Sequence, residues 1–210
     1  MDPQLSLLLN GIVSGLLLGG LYAAAAAGLA VSFGMLDIVN IAHPALMVMG
    51  AFTVVVIGTA LGLDPLLVAL LQAPLFYVIG IGIYGIYHHF FERRGEEALQ
   101  GLAFFFGVIF IVEVGLVMAF GPEQRFLDPD YAFITWRLGE IDLPLRMLVP
   151  AVLALTVVGL LILWLRRSFT GLAIAAVAQD AEALRLMAVD PVRIKRLAFG
   201  ISIALAAMAG

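Results

Sequence analysis

Apolar runs separated by short polar breaks set the pattern of this chain. Five of them, at about 5–33, 42–61, 66–87, 99–120 and 147–165, have the length of membrane spans, and a shorter one closes the sequence at 197–210. About 20 apolar residues suffice to cross the hydrocarbon layer as a helix. The first run is 29 residues long, with Gly11, Gly15 and Gly19 at spacing four. Such a stripe suits close helix packing, or reflects the ordinary tolerance of membrane helices for glycine. The breaks are of different kinds. Gly34 to Asn40 interrupts the first two runs and is open to a re-entrant reading. Gly62-Leu63-Asp64-Pro65 ends the second. His88, His89, Glu92, Arg93 and Arg94 mark the polar end of the third. Residues 121–146 form a polar connection with five acids and three arginines, plus Tyr131 and Trp136. The last run has 14 residues and no closing charge. It is too short to span alone, so the chain is expected to be incomplete at its C-terminal end.

The segment 166–196 organises the rest. It carries 6 of the 11 Lys and Arg residues and lies between two apolar runs. Its capping residues predict short helices rather than an open loop. Asp180 precedes Ala181-Glu182-Ala183-Leu184, where its carboxylate can accept from the orphan N–H groups of a first turn. Asp190-Pro191 pairs a capping acid with a proline at the first helical position. The expectation is a helix near 171–178, a turn at Gln179-Asp180, a helix near 181–188, and a third from 191 into the next run.

Composition fixes the solvent. The chain is 63% hydrophobic and 12% charged, against roughly 25% charged in soluble domains. The expected fold class is therefore all-α: a polytopic transmembrane helical bundle, one domain over 1–210, with a helical cytoplasmic loop at 166–196 that is a candidate docking surface for another protein. Basic residues orient it. The segments 92–98 and 166–196 hold 8, and 121–146 holds 3, which places the former in the cytoplasm and the N-terminus outside. A net charge of −4 gives no footprint for nucleic acid. There is no cysteine, so neither disulfides nor thiolate metal sites are available. Met1-Asp2-Pro3 lacks the positive start of a signal peptide.

No catalytic constellation emerges, and no enzyme activity, cofactor or metal is expected. His88 and His89 are adjacent, so they point to different faces of a helix. No phosphate-binding loop with a Gly-Lys-Ser/Thr end is present. Three polar features remain as substrate-pathway candidates. Glu113 lies midway through the fourth run, where a carboxylate is costly and faces a bundle interior or a wet cavity; a neutral, hydrogen-bonded structural role also fits it. Asn40 and His43, beside Asp37 and Pro44, flank the start of the second run. Polar groups at a broken helix bind charged ends of substrates in transporters; the other reading makes them solvated caps at the membrane surface.

Two stretches together resemble one family. Residues 28–52, GLAVSFGMLDIVNIAHPALMVMGAF, are similar to the signature of permease subunits of branched-chain amino acid ABC importers, with Asn40, Ala42, His43, Met49, Gly50, Ala51 and Phe52 matching. Residues 171–199 resemble the family's coupling loop through Gly171, Ala178, Gln179, Asp180, Ala183, Leu186, Met187, Asp190 and Arg193. There are departures. Ile41 replaces an aromatic and Pro44 a glycine, Leu172 and Ala175 stand where arginines are usual, and Ala188 replaces a common glycine. ERRGEEALQG replaces an Arg-Pro turn.

The resemblance implies a non-enzymatic, multi-pass permease of the bacterial plasma membrane. It implies pairing with a second, similar permease, two cytoplasmic ATPase subunits docked on the loops, and a soluble binding protein outside. ATPase coupling would fall on Gly171, Gln179, Asp180, Ala183, Leu184, Leu186 and Met187. Leu184, Leu186 and Met187 would enter a groove of the ATPase, or else pack under the permease itself. Other readings of the chain are a permease for urea or short amides, a self-contained channel or secondary transporter relaying protons between Glu113 and His43, and a structural membrane protein.

Overall fold

The computed structural model describes residues 3–36, 38–92 and 97–210. Asp37 and the Arg93-Arg94 pair, used above for the break and for orientation, lie outside them. The first helix, α1, covers Pro3–Leu29 and passes into a wider π-helical stretch, Ala30–Met35. It is followed by α2 (His43–Leu61), α3 (Pro65–Leu71), α4 (Ala73–Phe90) and α5 (Glu97–Phe120). Two short strands, β1 (Thr135–Leu138) and β2 (Ile141–Pro144), lead into α6 (Leu145–Arg167). Three helices complete the chain: α7 (Phe169–Gln179), α8 (Ala181–Leu186) and α9 (Pro191–Ala209). The fold is an all-α membrane bundle. The helices α1, α2, α5 and α6 are each long and apolar enough to cross a bilayer, and α3 with α4 passes the same test as a bent pair, the pattern of a broken span or a re-entrant loop.

Local chemistry sets the boundaries. Gly62 ends α2 in the left-handed conformation, φ +63°, which costs glycine nothing. Asp64 then caps α3, its Oδ1 accepting from the N–H groups of Leu66 at 2.8 Å and Leu67 at 3.3 Å. The apolar run 66–87 is not one straight helix. It bends by 41° at Gln72. Pro74, in the first turn of α4, has no N–H to continue the ladder of α3, so the helix breaks there.

At the other end, Ser168 Oγ accepts from Gly171 N–H at 2.9 Å and starts α7. Asp180 Oδ1 accepts from Glu182 and Ala183, both at 2.9 Å, and Asp190 Oδ1 from Val192 at 2.9 Å. α8 closes in a Schellman arrangement. Val189 N–H bonds Leu184 O at 3.0 Å, Ala188 N–H bonds Arg185 O at 3.1 Å, and Ala188 takes φ +59°.

The core is built around α9, which packs against α1, α2, α4 and α7. Ala198, Phe199, Gly200, Ser202, Ile203, Ala206 and Ala207 are all buried. Arg193, Lys195 and Arg196 stand in the first two turns of α9, ahead of its apolar stretch. Close approaches set its position. A Cβ on Gly50 of α2 would strike the backbone of Ala207, and one on Gly80 of α4 would sit 2.9 Å from Gly200 Cα. Phe199 adds an aromatic joint, 6.0 Å from the ring of Tyr84 and 5.9 Å from that of Phe105, so α4, α5 and α9 meet at one end.

The relative directions of the helices follow from their contacts. Asn10 meets residues 140 and 142, and Gly20 meets Ala151 and Leu155. The numbers rise together, so α1 and α6 run parallel and start on the same side. Gln72 meets Ala207, and Glu92 meets Lys195. Here one number rises as the other falls, so α4 and α9 are antiparallel.

Candidate functional site

The residues singled out in the sequence fall into three places. Asn40 and His43 are both 3% exposed, so neither is a solvated cap. Asn40 follows the π-helical stretch and its Oδ1 accepts from Ala42 N–H at 3.1 Å. His43 Nε2 lies 3.3 Å from Ala25 O of α1. Gly28 makes room for that ring: a Cβ there would come within 3.0 Å of His43 Cε1 and of Ser202 O. Ser202 of α9 donates to Gly28 O at 2.6 Å. Three elements therefore meet at Gly28, held by a histidine and a serine. Asn40 Nδ2 and His43 Nδ1 have no hydrogen-bond partner among the described residues, which leaves two buried polar atoms for a water or a passing solute.

Glu113 is elsewhere. It lines a cavity of about 570 Å3 between α2, α5 and the start of the 121–146 connection. The apolar wall comes from Val48, Phe52, Val55, Leu116 and Val117, and the polar groups include Glu113, Glu123 and Arg125. Arg125 is anchored by a bond from Nη2 to Phe120 O at 3.1 Å and by its position over the Phe120 ring. A second cavity of about 510 Å3 lies across α2, against α1, α6 and α9, and shares Ala51, Val55, Arg125 and Phe126 with the first. Its walls include Ala25, the residue that His43 bonds, and Leu205. Glu113 lines the first cavity, and His43 lines neither of these two. Arg125 escaped the sequence reading because it stands in a connection full of charges; its one signal was its position just past a helix end that carries a mid-membrane acid.

The coupling residues also separate. Gly171 is buried, and a Cβ on it would strike the backbone of Leu165. Its role is to let α7 fold back against the last turn of α6. Leu184 is 6% exposed and belongs to the core. It is turned into the bundle and is not available to a groove on another protein in this conformation. Gln179, Asp180 and Ala183 are exposed, and Leu186 and Met187 project at 90% and 75% exposure.

A cluster that the sequence did not announce stands beside this loop. Glu92, just past α4, receives three partners. Lys195 Nζ lies 2.6 Å from Oε1, Tyr84 OH donates to Oε2 at 2.7 Å, and His88 Nδ1 lies 2.6 Å from Oε2. Burial alone would raise the Glu92 pKa. The hydrogen bonds from Lys195, Tyr84 and His88 outweigh it and hold the carboxyl below its ordinary value. His88 and Glu92 can be read as an i,i+4 pair on a helix end, but Lys195 lies 103 residues away.

A bundle with several helices long and apolar enough to cross a membrane, and with apolar cavities that each carry a few polar groups, is of the class of multi-pass membrane proteins with room for small molecules. The model of the family described as "Branched-chain amino acid transport system / permease component" matches residues 11–210, and the chain belongs to that family. It is similar to the high-affinity branched-chain amino acid transport system permease protein BraD of Pseudomonas aeruginosa, at 24% identity over 220 residues, covering 99% of this chain and 71% of that protein. No solved structure matches the chain. It is a transport permease and a multi-pass protein of the bacterial inner membrane.

Proposed function

We propose that this permease translocates branched-chain or other hydrophobic amino acids by alternating access, driven by a separate ATPase. The observation that carries the substrate class is the cavity between α2 and α5. Its volume lies within the roughly 300–1,000 Å3 usual for small-molecule sites. Its Val, Leu and Phe wall suits a branched side chain, while Glu113 and Arg125 offer opposite charges to the ammonium and carboxylate of a zwitterion. Asn40 and His43 serve as a buried polar step further along the path, next to the Ala25 wall of the second cavity. The similarity to BraD, a branched-chain amino acid transport permease, supports the same class.

The partners follow from that reading. A second permease completes the pore, a soluble binding protein delivers the solute, and ATPase subunits dock on the cytoplasmic face at 166–196. Gln179, Asp180, Ala183, Leu186 and Met187 form the exposed docking edge, with Gly171 and Leu184 holding its shape from inside. Motion of α8 is passed to α9 through the Leu184–Val189 closure, and α9 ends between α2 and the α3–α4 bend. That gives an ATPase a rigid lever on the helices that wall the cavity.

The test is uptake of labelled leucine by vesicles holding the assembled importer. Glu113→Gln keeps hydrogen bonding and should retain partial uptake, whereas Glu113→Leu and Arg125→Met should each reduce it about tenfold or more, the loss expected when a charged partner of a substrate is removed. Wild-type uptake by all three variants removes this cavity from the pathway.

A further inference from the structure

The polar connection between α5 and α6 contains a hairpin with two chemically distinct faces. The register pairs Trp136 with Leu143 and Leu138 with Ile141. Directly opposed residues share a face of a two-stranded ribbon. One face therefore carries Trp136, Leu138, Ile141 and Leu143. The other carries Thr135, Arg137, Asp142 and Pro144, with Arg137 Nε 3.1 Å from Asp142 Oδ1. The apolar face is not used up inside the protein: Trp136 and Leu138 are 58% and 65% exposed.

The hairpin is held in a defined place. Asn10 of α1 clamps it from both sides of its chain, donating from Nδ2 to Glu140 O at 3.0 Å and accepting at Oδ1 from Asp142 N–H at 2.7 Å. Leu145 N–H, the first residue of α6, bonds Ile134 O at 3.0 Å. Asn10 lies seven residues into α1, about 10 Å along it at 1.5 Å per residue. The ribbon thus sits beside the first turns of α1 and directly ahead of α6. On α1, Leu7 and Leu8, one turn ahead of Asn10, are also largely exposed.

We infer that this hairpin is a lipid-binding element, lying in the interfacial zone of the leaflet at the N-terminal ends of α1 and α6. Trp136 and Leu138 enter the hydrocarbon boundary, and the Arg137–Asp142 pair faces headgroups and water. The chemistry is that of an interfacial belt, where an indole buries its ring and keeps its N–H wet. A ribbon in this position satisfies its edges from water and headgroups, which a strand pair deeper in lipid cannot do. Anchored through Asn10, it fixes the depth of α1 and α6 together.

The sequence makes the test direct, because it has two tryptophans and no cysteine. Trp164→Phe leaves Trp136 as the sole tryptophan. In phosphatidylcholine–phosphatidylglycerol vesicles, the full chain should show blue-shifted emission. Lipids brominated near the carbonyl end should quench it more strongly than lipids brominated near the methyl end, and aqueous iodide should quench it little. Emission of a hydrated indole, quenched by iodide and indifferent to brominated lipid, overturns the inference. So does a blue shift that appears only when the soluble binding protein is added, which would assign the face to a protein partner. If Trp164→Phe does not insert, Leu138→Cys bearing a nitroxide reads the same property: collisions with oxygen must exceed those with a water-soluble nickel chelate, and the reverse order overturns the inference. None of these readouts depends on transport, so they stand or fall apart from the proposed substrate.

Discussion

Lys195 Nζ sits 2.6 Å from Glu92 Oε1, joining the first turns of α9 to the end of α4. Neither side chain is free in water: they are 21% and 10% exposed. The carboxylate is also bonded by Tyr84 and His88, so the junction carries four polar side chains on two helices. Lys195→Met leaves the other three in place and strands a partly buried carboxylate. Removing one partner of a fully buried pair costs about 3–5 kcal/mol, and for this partly exposed one about 2 kcal/mol is expected by the same reasoning. Glu92→Gln should cost less, because Tyr84 can still donate to the amide oxygen. Thermal unfolding in detergent micelles ranks the two, and a Lys195→Met protein as stable as the parent refutes the account.

The same carboxylate fixes a pH dependence. Its pKa in the fold is lowered against the ordinary value of about 4.3. A lowered acid contributes stability above its unfolded pKa and loses it as pH falls through the folded one. The junction should hold at neutral pH and weaken only in acid, below the normal carboxylate range. Glu92→Gln should flatten the acid limb of a stability–pH curve while leaving the neutral region parallel to the parent.

Tyr131 predicts the opposite limb. Burial comes first, then the charge of Asp64 and its hydrogen bond, and together they push the phenol up to about 12. A raised pKa stabilises the fold below the unfolded value near 10 and loses that contribution as pH rises through the folded one. The difference in phenolate absorbance between the parent and Tyr131→Phe should show a midpoint near 12. A midpoint near 10 would mean that the connection is not tied to the α2–α3 turn.

Ala188 holds φ +59° in the closure of α8. A left-handed residue with a Cβ costs roughly 1–2 kcal/mol. Ala188→Gly should therefore stabilise the protein by about 1 kcal/mol, the strain relieved less the added freedom of the unfolded chain. A loss of stability would show that the closure is not under strain.

The exposed and buried faces of α8 separate docking from folding. Leu186→Asp with Met187→Asp should leave thermal stability unchanged and abolish co-purification with the ATPase. Leu184→Asp should reduce stability by several kcal/mol, since it places a charge among core residues. Unchanged co-purification in the double variant removes these two residues from the interface.

Much of the helical order was readable because it is written in local chemistry. Asp180 and Asp190 cap helices as their sequence context predicted, and Gly62 with Asp64 marked a turn. What escaped needed neighbours. The run 66–87 gave no sign of its bend except Pro74, which is compatible with a helix start and with a kink. Leu184 and Leu186 look alike in sequence, and only the position of the core shows that one turns in and the other out. The hairpin could have been found: Trp136-Arg137-Leu138 and Ile141-Asp142-Leu143 alternate around Gly139-Glu140, and Gly139 takes φ +68° as the first residue of a tight turn. The acids and arginines of the connection hid that alternation behind an average polarity. The Glu92–Lys195 contact and the Glu113–Arg125 cavity join parts of the chain that no periodicity relates.

The central position of α9 has a consequence for biogenesis. The ribosome makes this helix after α1, α2, α4 and α7, the elements it packs against. Those helices must leave the translocon with a slot between them still vacant, lined by Gly50 and Gly80. Maturation of this permease is therefore a late insertion event, and substitutions that close the slot early should yield proteins that reach the membrane and are then degraded.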